Sequence, residues 1–129
     1  MSSFERLIPV LVYRYIAAAH DFLVQAFGFE SGGVERDAAG KAVHGEVRVG
    51  STAVWLHRMT ADLAGSGLVV HVSDVDAHFA RARAAGARIQ YEPTDQPYGQ
   101  REYEARDPEG HRWWFATPLP ASTMSSRAV

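Results

Sequence analysis

RDPEGHRWWFATP, residues 106–118, joins a turn to a strand that carries two adjacent tryptophans. Asp107, Pro108, Glu109 and Gly110 have the chemistry of a tight turn, because proline restricts φ and glycine tolerates positive φ. Beyond the turn, the period of two sends Arg112, Trp114 and Ala116 to one face of the strand and Trp113 and Phe115 to the other. The two indoles must therefore serve different surroundings.

Moving outward from this stretch, the second half of the chain reads as strand, helix, then three strands. SGLVVHVS is a strand, and DVDAHFARARAAG is a helix with Asp74 as N-cap and Gly86 as its stop. Its apolar side is carried by Val75, Phe79, Ala82 and Ala85. ARIQYE, REYEARD and HRWWFAT are the three strands, with PTDQPYG read as the loop between the first two. The first half has the same grammar. FERLIPVLVY is a strand tempered by Pro9, and YIAAAHDFLVQAFGF is a helix with a stripe of Ile16, Ala19, Leu23 and Ala26, widened by Phe22 and Phe27 and stopped at Gly28. A strand in 29–36 and the turn DAAGK follow, then VHGEVRVG and STAVWLHRM joined at Gly50-Ser51. The order βαβββ thus occurs twice.

Composition closes several routes. With 129 residues, 47% of them apolar, the chain can bury a core as one domain made of two modules. A formal charge of −2 without a basic cluster argues against nucleic acid as partner. No cysteine means no disulfide, thiolate metal site or cysteine nucleophile. No apolar run suits a membrane span and MSSFERL lacks the apolar region of a signal peptide, so a soluble cytoplasmic protein with no membrane partner is expected. Gly-rich phosphate loops, a GxSxG elbow and HExxH are all absent from the sequence.

The repeated βαβββ order, with HDFLVQAFGF, DVDAHFARARAAGA and YGQREYEARDPEGHRWWFAT, resembles the vicinal oxygen chelate superfamily, which includes glyoxalase I, bleomycin-resistance proteins and extradiol dioxygenases. The resemblance implies an α+β fold of tandem βαβββ modules, 1–62 and 66–118, forming a curved mixed sheet around a cleft, joined near Ala61 to Gly67, with a flexible tail 119–129 and a homodimeric assembly. It also implies four metal-ligand positions, which fall on Ile8, Trp55, Gly67 and Trp114. None of these four side chains can bind a hard or borderline divalent metal, so neither a metal nor another cofactor is expected. On the same placement, Ala53, Trp55 and His57 share the cleft face while Val54 and Leu56 are core, and Trp114 faces the cleft while Trp113 and Phe115 pack under the helix.

Two indoles in place of two ligands suit stacking against a planar or apolar molecule. The first expectation is therefore metal-independent binding of a small aromatic or amphipathic molecule, in drug or antibiotic sequestration, with Trp55, Trp114, His71, His57, Tyr98 and Arg101 as ligand-binding residues. An alternative is a cofactor-independent lyase or isomerase with His71 as base and Tyr103 or Arg101 stabilising negative charge. Another is a glyoxalase-like metal enzyme with ligands relocated around His57, His71 and Glu104. Which of the pairs Arg101/Tyr103 and Glu102/Glu104 faces inward is left open by the sequence. His20 and His78 are expected at the surface or partly packed, and His44 at a loop or strand start.

Overall fold

The computed structural model describes residues 6–58 and 67–120. The expected joint, apart from Gly67, and the tail beyond residue 120 lie outside the described residues. The chain divides into two compact units, Met1–Leu63 and Ala64–Val129.

In the first unit, β1 (Val10–Tyr13) leads into α1 (Ile16–Gln25), followed by β2 (Glu30–Arg36), β3 (Ala42–Val49) and β4 (Thr52–Arg58). The sheet order is β1-β4-β3-β2. β4 is parallel to β1, with Val10 opposite Trp55, and antiparallel to β3, with Glu46 opposite Trp55. Pro9 sits just before β1, and its carbonyl accepts from the Trp55 amide at 3.0 Å. The missing proline N–H thus costs the ladder nothing. Ile16, Ala19, Leu23, Ala26 and Phe27 are buried, as the helical stripe requires, together with Val47, Val54 and Leu56. His20 is buried as well, its Nε2 2.7 Å from the Ser31 hydroxyl.

The second unit repeats this plan with β5 (Gly67–His71), α2 (Val75–Ala84), β6 (Arg88–Gln96), β7 (Gln100–Arg106) and β8 (Arg112–Pro118), in sheet order β5-β8-β7-β6. Asp74 caps α2 by accepting from the Ala77 amide at 3.1 Å, and Gly86 follows the helix with φ of 87°. Trp113 and Phe115 are fully buried and stack in parallel with centroids 6.3 Å apart. Phe115 also meets His78 of α2 at 4.1 Å. Parity therefore resolves as expected: Trp113 belongs to the core beneath α2 and Trp114 to the opposite face.

The turn before β8 is tied to that core. Asp107 is 0% exposed. Its Oδ1 accepts from the amides of Glu109 and His111, each at 3.1 Å, and its Oδ2 accepts from the Trp113 indole at 3.1 Å. One carboxylate thus shapes the turn and anchors the buried tryptophan. Asp37 builds the β2–β3 turn in the same way, accepting from the amides of Ala39 and Lys41 at 3.0 and 2.9 Å.

Two expectations need correction. The α+β fold of βαβββ modules and the mixed pairing are as expected, but the strands form two open four-stranded sheets and no sheet curled around a cleft. In each unit the last strand is paired on both sides, to the first strand in parallel and to the third antiparallel, which leaves the first and second strands at the sheet edges. The loop read in PTDQPYG is also shorter than expected. β6 runs on to Gln96, with the register broken between Tyr91 and Thr94 around Pro93, where the ladder needs no N–H donor. Only residues 97–99 separate β6 from β7.

Candidate functional site

The helix-free face of the second sheet carries an open pocket of about 410 Å³ lined by Val69, Tyr91, Tyr98, Gln100, Glu102, Glu104, Arg112 and Trp114. β7 and β8 supply alternate residues, Gln100, Glu102 and Glu104 from the first and Arg112 and Trp114 from the second, while β5 adds Val69 and β6 adds Tyr91. The choice between the two β7 pairs is thereby made. Glu102 and Glu104 face the pocket, whereas Arg101 and Tyr103 face α2. Arg101 pairs with Asp76 at 3.0 Å and Asp95 at 3.2 Å. Tyr103 is fully buried, with its hydroxyl 2.6 Å from His78 Nδ1, and burial holds its ionisation above the usual tyrosine range.

Two carboxylates organise the pocket in different ways. Glu104 is 5% exposed and meets two arginines, Arg106 at 3.1 Å and Arg112 at 3.3 Å. Glu102 is 3% exposed and gathers neutral donors: the Tyr91 hydroxyl, the Tyr98 hydroxyl at 2.7 Å and the Gln100 amide at 2.8 Å. Burial and then the Glu102 carboxylate keep Tyr91 protonated well above the usual range. The same two causes push Tyr98 up to about 12. His71 adjoins the cluster from β5, its Nε2 3.3 Å from Gln100 Oε1. Since an amide oxygen only accepts, that imidazole nitrogen carries the proton.

Trp114 is half-buried. The Arg112 guanidinium lies over its ring at 4.6 Å. Gly67 leaves room for the ring's edge, for a Cβ there would stand 2.7 Å from Trp114 Cζ3 and 2.5 Å from the Arg112 carbonyl. Tyr98, 63% exposed, and Val69, 55% exposed, supply apolar surface at the rim.

The first unit holds a related arrangement. Glu46 lies opposite Trp55 in the ladder, as Glu104 lies opposite Trp114. Glu46 accepts from the Trp55 indole and from Arg48, both at 3.1 Å, and packs over Gly32. Trp55 stacks nearly parallel on His57, with centroids 6.1 Å apart, and His44 meets His57 at 5.0 Å. His44 is thus inside β3. The Glu-x-Arg pair followed by tryptophan in both halves, Glu46, Arg48, Trp55 and Glu104, Arg106, Trp114, was the sequence signal for these glutamates. Glu46 was in no expected site, and Glu104 entered only the alternative with relocated metal ligands.

Of the expected site residues, Trp114 and Tyr98 line the pocket and His71 borders it through Gln100. Trp55 and His57 lie together on the first sheet. The three residues of the lyase alternative are not brought together, since Arg101 and Tyr103 contact α2 on the face opposite Val69 and Glu102.

With this geometry in view, the chain belongs to the Glyoxalase/Bleomycin resistance protein/Dioxygenase superfamily, whose family profile matches residues 8–115. It is 35% identical over 131 residues to an uncharacterized protein of Mycobacterium bovis, an alignment that covers 92% of this chain and 86% of that one. Among solved structures, it is similar to TioX from Micromonospora sp. ML1, with 36% identity, a TM-score of 0.76, and coverage of 90% of this chain and 100% of that one. TnmS3, an antibiotic binding protein from Streptomyces sp. CB03234, shares the fold at 23% identity, with a TM-score of 0.75 and coverage of 92% and 99%.

A metal of the kind used by enzymes of this superfamily does not fit the residues present. Two of the positions implied for its ligands are indoles, one giving its N–H to Glu46 and the other lying under Arg112. A third, Gly67, has no donor and packs against Trp114. Among the described residues no group of three or more His, Asp or Glu is placed to hold a metal, and within the second unit the relocated-ligand candidates His71 and Glu104 are engaged by Gln100 and by Arg106 and Arg112. No step through a metal follows from this donor set. Among the described residues, no helix is long and apolar enough to cross a membrane.

Proposed function

We propose that this protein binds a small planar aromatic or amphipathic molecule without a metal, in sequestration of a drug or antibiotic, and that the pocket on the second sheet is where it does so. The observation that carries the reading is the make-up of that pocket: Trp114, Tyr91, Tyr98 and Val69 offer apolar and aromatic area around one organised polar centre at Glu102. Its volume, about 410 Å³, falls within the range of about 300–1,000 Å³ common for small-molecule sites. His71 joins the proposed contact set of this pocket, and Trp55 and His57 are proposed as ligand contacts on the first sheet, taken by itself. The antibiotic binding protein TnmS3 has the same fold, which makes this ligand class a reasonable one to test first. A homodimer and a cytoplasmic location belong to the same proposal, the former tested by light scattering.

Binding is tested by titrating a panel of planar aromatic antibiotics and dyes against the folded protein and following tryptophan emission. Quenching that disappears in Trp114→Phe supports the reading. A folded protein that responds to no member of the panel contradicts it.

A further inference from the structure

The hydrogens around Glu102 all run one way. A carboxylate has only acceptor positions, and a tyrosine has one hydrogen to give. The hydroxyls of Tyr91 and Tyr98 both give theirs to Glu102. Gln100 gives one amide hydrogen to Glu102, and its oxygen is occupied by the N–H of His71. The two phenolic oxygens can therefore meet a ligand only as acceptors. Among the described side chains gathered on Glu102, the donor left is the second amide hydrogen of Gln100. The other end differs: Arg112 has N–H groups beyond those used on Glu104, and Trp114 has an indole N–H. The pocket thus has an acceptor end built on Glu102 and a donor end beside Trp114.

We infer that Glu102 sets the hydrogen-bond polarity of this pocket, and that the ligand is a planar aromatic molecule with an O–H or N–H donor on the edge that meets Tyr91 and Tyr98. The inference rests on the binding reading above and adds the class of substituent to it. Glu102 acts through the tyrosines, as a specificity-determining residue. Tyr98 is pushed up to about 12, so its hydroxyl keeps its proton, and the polarity holds, at any pH near neutral. Burying an ether oxygen against two oxygens that can only accept leaves both sides without a hydrogen, which is where discrimination comes from.

A matched pair of probes tests this: 2-naphthol, which can donate, and 2-methoxynaphthalene, which cannot. Equilibrium dialysis at neutral pH, read by the probes' own fluorescence, gives both affinities. The wild-type protein is expected to hold 2-naphthol about tenfold more tightly, the worth of one good hydrogen bond. In Glu102→Gln the new amide donates to one tyrosine oxygen and releases that hydroxyl to donate into the pocket, so the preference falls to near unity or inverts. Arg101→Ala, on the opposite face of β7 and outside the pocket, retains the preference; should Glu102→Gln not fold, the preference of the wild type itself carries the test. Equal affinity of the wild type for the two probes overturns the polarity while leaving the binding reading intact. A preference unchanged in a folded Glu102→Gln, or lost in Arg101→Ala, also overturns Glu102 as its source. Binding of neither probe removes the binding reading and this inference together.

Discussion

Replacing Asp107 by Asn changes one atom and sets a donor against a donor. In the wild type, Oδ1 serves the turn amides of Glu109 and His111, and Oδ2 accepts from the indole of Trp113, all at 3.1 Å. An asparagine that keeps its oxygen on the turn must aim its NH2 at the indole N–H. Both groups are fully buried, so water cannot take the place of the lost acceptor. Hydrogen bonds to charged groups are worth about 1.5–3 kcal/mol, and a loss of about 2–3 kcal/mol is expected here. Between the size classes for which the scaling is known, that corresponds to a fall in Tm of roughly 6–15 °C. Thermal unfolding followed by near-ultraviolet circular dichroism measures it. Trp113→Phe removes the same bond from the other side, so the double variant should cost clearly less than the sum of the singles. A Tm within about 2 °C of wild type for Asp107→Asn, or full additivity in the double variant, would refute the claim that this carboxylate anchors the buried tryptophan.

Other consequences follow from the same geometry. Gly67→Ala forces a Cβ into the Arg112 carbonyl and the Trp114 ring, and should cost about 1–3 kcal/mol while changing tryptophan emission; unaltered unfolding and emission would show that the approach is not needed. Because the folded-state pKa of Tyr98 is raised from 10.0 to about 12, its contribution to stability is complete below pH 10 and is lost as pH rises from there toward 12. Denaturant titrations from pH 9 to 11.5 should therefore show a steeper loss in wild type than in Tyr98→Phe, and equal slopes would contradict the shift. Arg101→Ala, which breaks exposed pairs with Asp76 and Asp95, should change stability by no more than about 1 kcal/mol and leave ligand affinity untouched, as measured by titration.

The parts of this structure that were legible in the sequence are those fixed by local rules. Parity within one strand separates Trp113 from Trp114, and capping chemistry places the start of α2 at Asp74 and its end before Gly86. β7 was ambiguous because each of its two faces presents polar or amphipathic side chains, Arg101 and Tyr103 against Glu102 and Glu104. What decides it is register: Tyr103 stands opposite Phe115 and Glu104 opposite Trp114, a relation between strands that neither strand states alone. The same holds for the donors on Glu102, which arrive from β6, the following loop and β7. Pro93 signalled a break in β6 where the chain instead absorbs it in a register shift and carries on to Gln96. The single curved sheet failed for a further reason, since pairing between modules depends on strand edges whose partners no local pattern reports.

The proposed binding surface for a planar ligand is the Trp114 face of the second sheet and not the core beneath α2. The three indole N–H signals in a nitrogen-15 correlation spectrum, assigned by single Trp→Phe variants and followed during titration with 2-naphthol, test it directly. A saturable shift of the Trp114 signal is expected, while that of Trp113, bound to Asp107, stays in place. A Trp114 signal that does not move, or one that moves no more than that of Trp113, would contradict it.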